Sequence, residues 1–92
     1  MIISWKNKKL KRFFIKGIKQ GINAKHSEDL LTMLTTLDEA DNPKDMDLSG
    51  YDFHALKGDM EGLYSIKVNA NYRLVFGFKG DNATDVDYTD YH

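Results

Sequence analysis

The spacing of apolar and polar residues changes character twice along the chain. Ile2, Ile3 and Trp5 form an apolar stretch too short for a helix, and from Lys6 onward the spacing turns helical. This predicts a short N-terminal strand followed by a helix. Leu10, Phe13, Phe14 and Ile18 share one stripe of that helix while cations fill much of the remainder, as in a helix packed on one side only. Gly17 and Gly21 close it, since glycine accepts the left-handed conformation at a helix end. Asn23 suits the N-cap of a second helix running from about Ala24 to Glu39. Glu28 and Asp29 favour its positive end, and Leu30, Met33, Leu34 and Leu37 form its buried stripe. The short link between the two helices predicts an antiparallel hairpin. His26, near the start of the second helix, reads as a surface or capping residue.

Pro43 ends the helical region, and the acidic, turn-rich stretch from Asp41 to Gly50 connects it to strand-like sequence. Tyr64, Ile66 and Val68 alternate within Leu63 to Val68, and Tyr72, Leu74, Phe76 and Phe78 alternate within Tyr72 to Lys79. A third run spans Thr84 to Tyr91, and a short extended piece lies near Phe53 to Leu56. Asn69, Ala70 and Asn71 supply one turn and Gly80, Asp81 and Asn82 the next, which predicts an antiparallel meander. The expected fold class is α+β: a small antiparallel sheet, the meander plus the N-terminal strand, packed against the helical hairpin. Arg73 falls on the face opposite the apolar one, with Val75, Gly77 and Lys79.

Composition narrows the setting. At 92 residues the chain is expected to form one domain over 1–92, because a chain this short buries only about 60% of its unfolded surface. There is no cysteine, which removes disulfides and thiolate metal sites. Lysines at 6, 8, 9 and 11 interrupt any apolar run well short of a signal peptide or membrane span, so a cytoplasmic location is expected and no membrane partner.

The formal net charge of -1 hides a segregation. Lys6, Lys8, Lys9, Lys11, Arg12, Lys16, Lys19 and Lys25 occupy the first 25 residues with no acid among them, and acids dominate thereafter. Such a block is an electrostatic footprint for nucleic acid, or equally a solvated helix face.

RNA cleavage without a metal needs a base for the ribose 2′-hydroxyl, cations for the phosphorane and an acid for the departing 5′-oxygen. His54, Asp90, Tyr91 and His92 are candidates for proton transfer, and Lys57 and Arg73 for holding phosphate oxygens. Each also has an ordinary reading. His54 between Phe53 and Ala55 suits a partly buried side chain, His92 a frayed end, Arg73 an ion pair and Lys57 a solvated turn. His54, His92 and Asp90 have no local metal-ligand spacing, Asp85 and Asp87 suit a solvated strand face, and no nucleotide-binding glycine loop is present. No metal and no cofactor are therefore expected. The tyrosines are chiefly packing, although an exposed one can stack a base.

Three ordered motifs carry a resemblance over essentially the whole chain. They are the N-terminal Ser4-Trp5-Lys6 with Lys9-Leu10-Lys11 and Phe13-Phe14, then His54-Ala55-Leu56-Lys57-Gly58-Asp59 with Gly62 to Leu74, and the terminal Asp90-Tyr91-His92. The chain resembles the HigB toxins of the RelE/ParE superfamily, in type II toxin–antitoxin systems. The resemblance implies a compact microbial-ribonuclease-like fold and cleavage of translated mRNA in the ribosomal A site. It implies that His54, Asp90, Tyr91 and His92 act in or beside the chemistry, and that Lys57 and Arg73 bind the backbone phosphate. Lys8, Lys9, Lys11, Arg12, Lys16 and Lys19 would then contact ribosomal RNA. The implied partners are a HigA-type helix-turn-helix antitoxin and the ribosome with its message, with operator DNA reached only through the antitoxin.

Ala24 and Ala55 stand where relatives commonly carry proline, and relatives are markedly more basic, a departure that bears on the strength of ribosome binding. Two other readings remain within reach of the sequence: a ParE-like gyrase poison that cleaves nothing, and a degenerate toxin acting only as an antitoxin-bound corepressor.

Overall fold

The computed structural model describes residues 1–69 and 71–90. Helix α1 spans Lys8–Lys16. Asn7 caps its start by accepting the Leu10 N–H at 3.0 Å, and Gly17 ends it in the left-handed conformation at φ 72°. Leu10 and Phe13 are buried, and Phe14 packs on Trp5 with ring centroids 5.7 Å apart. Ile18 departs from the expected stripe: it is 40% exposed, because the left-handed turn at Gly17 takes it off the helix before the next apolar position.

The second helix also begins later than its periodicity suggests. Asn23 caps a 3₁₀ turn over Ala24–His26 by accepting the Lys25 N–H, and helix α2 itself spans Ser27–Glu39. Its Leu30, Met33, Leu34 and Leu37 are buried as expected. Ala40 leaves in an extended conformation, and Pro43 then opens a second 3₁₀ turn, Pro43–Met46, whose Met46 is fully buried. The two helices thus form the expected hairpin.

Four antiparallel strands follow in the order β1-β2-β3-β4: β1 His54–Ala55, β2 Leu63–Lys67, β3 Tyr72–Lys79 and β4 Asn82–Asp90. A two-residue turn with Gly80 at φ 63° closes β3 onto β4 through the Lys79↔Asn82 pair. One sheet face presents Ile66, Val68, Leu74, Phe76, Ala83 and Val86 to the core formed with Leu10, Phe13 and the α2 stripe.

The N-terminal segment differs from the expected strand. It runs parallel to β4 through two isolated bridges, Ile2↔Ala83 and Trp5↔Val86. The reason lies in β4. The ladder shifts between Val75 and Gly77, where Asp85 takes a positive φ of 52° and donates its N–H to Ser4 Oγ at 2.8 Å. That bulge interrupts regular pairing at the edge the N-terminal segment would use.

Candidate active site

Strand alternation assigns the outer sheet face. Ser65 pairs with His54 on one side and Val75 on the other, and Arg73 pairs with Lys67 and Thr89. His54, Ser65, Arg73 and Thr89 therefore share the face turned away from the helices.

Arg73 is the centre of this face, with a side chain only 12% exposed. Its Nε donates to Ser65 Oγ at 3.0 Å, Nη1 to the Asp52 carboxylate at 3.2 Å and Nη2 to the Asp52 carbonyl at 2.5 Å. Asp52 bends the chain through a left-handed residue, φ 48°, just before β1. Its other carboxylate oxygen lies 3.1 Å from His54 Nε2. One carboxylate thus bridges the guanidinium and the imidazole.

The bridge sets proton positions. Because Asp52 accepts from His54 Nε2, the neutral ring leaves its lone pair on Nδ1, where a substrate proton can be taken. The hydrogen bond from Arg73 holds the Asp52 carboxyl below its ordinary value of 3.8, with the charges of His54 and Arg73 adding to it against a desolvation that opposes. The sign follows: a lowered folded value gives a contribution that is whole above the ordinary pKa and lost as pH falls through the lowered one. Acidification from neutrality to about pH 4 is expected to leave the bridge intact. Carboxyl titration by NMR checks this, and a midpoint at or above the ordinary value would contradict it.

The Thr89 hydroxyl, beside Arg73 in the ladder, is buried without a hydrogen-bond partner among the described residues. It borders a hollow of about 340 Å³ on the same face, with Lys6, Met60, Val75 and Asp87 around it. An orphaned buried hydroxyl costs roughly 1–3 kcal/mol. Thr89→Val, which keeps the shape, is expected to raise the thermal midpoint by about 4–8 °C for each kcal/mol recovered. An unchanged or lower midpoint in a melting curve would refute that account.

The remaining candidates are placed unequally. Asp90 pairs with Tyr72 and shares the face of Tyr72 and Tyr88, the opposite face to Arg73. Lys57 is exposed beyond the end of β1, beside the 3₁₀ turn Gly58–Met60. Tyr91 and His92 lie outside the described residues.

The cationic block is exposed throughout, at Lys8, Lys9, Lys11, Arg12, Lys16 and Lys19. It edges a hollow of about 630 Å³, which has Ile3, Trp5 and Ile15 as its apolar part and is built on α1 instead of the Arg73 face. Gly21, at φ 84°, lets the Lys9 stem cross the chain where a Cβ would meet its Cδ at 2.3 Å.

Sequence reasoning missed Asp52, Ser65 and the burial of His26. Asp52 offered one signal, an acid two residues before His54, but its left-handed backbone departs from the extended chain for which that spacing means a shared face. Among the described residues, no three His, Asp or Glu side chains converge as a metal site. No helix there is long and apolar enough to cross a membrane.

Residues 3–92 match the family described as the RelE-like toxin of type II toxin–antitoxin system HigB. Endoribonuclease HigB of Proteus vulgaris is 39% identical over 92 residues, with all of both chains covered. Among solved structures, YoeB in the YoeB–YefM complex of Staphylococcus aureus superposes with a TM-score of 0.65 at 17% identity, covering 100% of this chain and 98% of that one. The YoeB/ParE toxin of Agrobacterium tumefaciens gives 0.61 at 22% identity, covering 100% and 99%. The last two likenesses concern the fold alone.

Proposed function

The chain belongs to the HigB-like, RelE-like toxins of type II toxin–antitoxin systems, and from that premise we propose that it is an endoribonuclease cutting mRNA as the ribosome reads it. A single domain over 1–92 carries the activity. The observation that supports this best is the outer-face pairing of Arg73 and His54 through Asp52.

In the proposed reaction, His54 Nδ1 takes the proton of a ribose 2′-hydroxyl. The 2′-oxygen then bonds to the adjacent phosphorus as the bond from phosphorus to the 5′-oxygen breaks, and an acid returns a proton to that oxygen. The products are a 2′,3′-cyclic phosphate and a 5′-hydroxyl. Arg73 stabilises the charge gathered on the phosphoryl oxygens, and Lys57 supplies a second, mobile cation. Tyr91 and His92 complete the proton traffic, and Asp90, which strand parity puts on the face opposite Arg73, acts beside the chemistry. No metal takes part in the scheme.

Docking falls to α1 and the segment just after it. Lys8, Lys9, Lys11, Arg12, Lys16 and Lys19 meet ribosomal RNA, presenting one cationic surface although the chain as a whole carries -1. The site of action is then the cytoplasm. The cognate antitoxin is of the HigA helix-turn-helix type, and the toxin reaches operator DNA only through it.

The test compares purified protein on a defined message engaged by translating ribosomes with the same message free in solution. Cuts confined to the ribosome-bound message are expected. Equal cutting of free RNA would contradict the ribosome step, and no cutting of either would contradict the enzyme.

A further inference from the structure

Among the described residues His26 is one of the few buried polar side chains, 4% exposed, and the proposed cleavage makes no direct use of it. It occupies the residue before α2 yet makes no capping hydrogen bond there. Its ring instead reaches two parts of the sheet remote in sequence. Nδ1 lies 2.5 Å from Tyr88 Oη on β4, and Asn69 Nδ2 at the β2–β3 turn hydrogen-bonds Nε2.

The roles of the two nitrogens follow from Asn69. Its Oδ1 already accepts the N–H groups of Asn71 and Tyr72, at 3.0 and 3.1 Å, so the amide presents its NH₂ to the ring. Nε2 is therefore the acceptor, and Nδ1 carries the proton and donates to Tyr88. Aromatic contacts frame the junction. Tyr72 meets His26 edge-on at 5.0 Å and stacks on Tyr88 at 4.9 Å. The Tyr88 phenol is pushed up to about 12, chiefly by burial and then by Tyr72, while a backbone hydrogen bond from Asn23 opposes the rise. It serves as a neutral structural hydroxyl at physiological pH.

This junction ties down one end of the sheet at two places. Tyr72 immediately precedes Arg73, and Tyr88 lies two residues before Asp90, which pairs with Tyr72. We infer that His26 is a positioning residue for RNA cleavage: through Tyr88 it fixes the end of β4 and, through the Arg73↔Thr89 pair, the register of Arg73, while Asn69 holds the imidazole in the orientation that donates to Tyr88. The inference rests on the proposed endoribonuclease reading and adds a residue to it. An error of about 1 Å at reacting groups lowers rates on the order of a hundredfold, so a junction that sets their register acts on turnover more than on binding.

The experiment measures kcat and KM on ribosome-bound message for His26→Ala, His26→Asn, His26→Gln and Tyr88→Phe, with a melting curve for each. Asparagine places its NH₂ near the position of Nδ1 and keeps the donor to Tyr88, whereas glutamine reaches Asn69 and gives that donor up. His26→Ala, His26→Gln and Tyr88→Phe are expected to lose roughly ten- to a hundredfold in kcat with KM changed less than about threefold. His26→Asn is expected to stay within about threefold of wild type in kcat, even where its melting temperature falls as far as that of His26→Gln.

Folded His26→Ala with wild-type kcat overturns the inference, as does glutamine rescuing turnover as well as asparagine. A wild-type protein silent on ribosome-bound and free RNA alike overturns the proposed function and the positioning role together. Active wild type with an unaffected His26→Ala overturns the positioning role alone.

Discussion

Arg73→Ala is expected to slow cleavage of ribosome-bound message by about two to three orders of magnitude, the loss typical of removing a fixed donor aimed at developing negative charge. The geometry gives the reason. All three guanidinium nitrogens are engaged, by Ser65 and by the side chain and backbone of Asp52, so the cation is oriented before any phosphate arrives. Such preorganisation is what makes a donor effective in the transition state. Arg73→Lys keeps the charge and loses the fork, and is expected to recover only part of the rate. Alanine also leaves Ser65, 1% exposed, without its arginine partner, at roughly 1–3 kcal/mol. Single-turnover rates at saturating protein separate the two effects, since a stability loss alone leaves the rate of the folded fraction unchanged. A rate within about threefold of wild type would remove Arg73 from the chemistry.

The largest expected effect on stability belongs to Phe76→Ala. Phe76 is fully buried at the centre of β3, opposite the bulge, with Tyr64 and Phe78 rings 6.0 and 6.1 Å from its own. Truncation to alanine costs about 3–5 kcal/mol through lost burial and the cavity left behind. A domain of this size holds only about 5–15 kcal/mol in total. The variant is expected to melt at least about 12 °C lower than wild type by circular dichroism. A fall of under about 4 °C would mean that the sheet and helices do not share the core described above.

The meander was legible because alternation is a local signal. Tyr64, Ile66, Leu74 and Phe76 declare a face without reference to any partner, and Gly80 marks a turn that only a short loop can use. The N-terminal strand was not legible as two bridges, since its pairing depends on the backbone of Asp85, 81 residues from the Ser4 hydroxyl it engages. Ile18 misled for a related reason: helical spacing continues through Gly17 in the sequence, while the chain itself turns there.

The site shows the same division. Arg73 was assigned to the outer face by parity alone. Its carboxylate partner sits 21 positions away in the chain, and His26 meets Asn69 and Tyr88 at separations of 43 and 62. Period reveals which face a residue occupies but carries no information about which distant polar group meets it there. Asp90 illustrates the reverse case, because parity places it across the sheet from Arg73 despite their closeness at the same strand end.

The central claim is that this face cuts messages during translation. Its most direct test is brief induction of the protein without its antitoxin, followed by mapping of mRNA 5′ ends across the transcriptome. The expected result is new 5′-hydroxyl ends inside translated codons, in frame, absent from untranslated regions and absent on induction of Arg73→Ala. Intact messages in growth-arrested cells, accompanied by DNA-damage signalling, would contradict it.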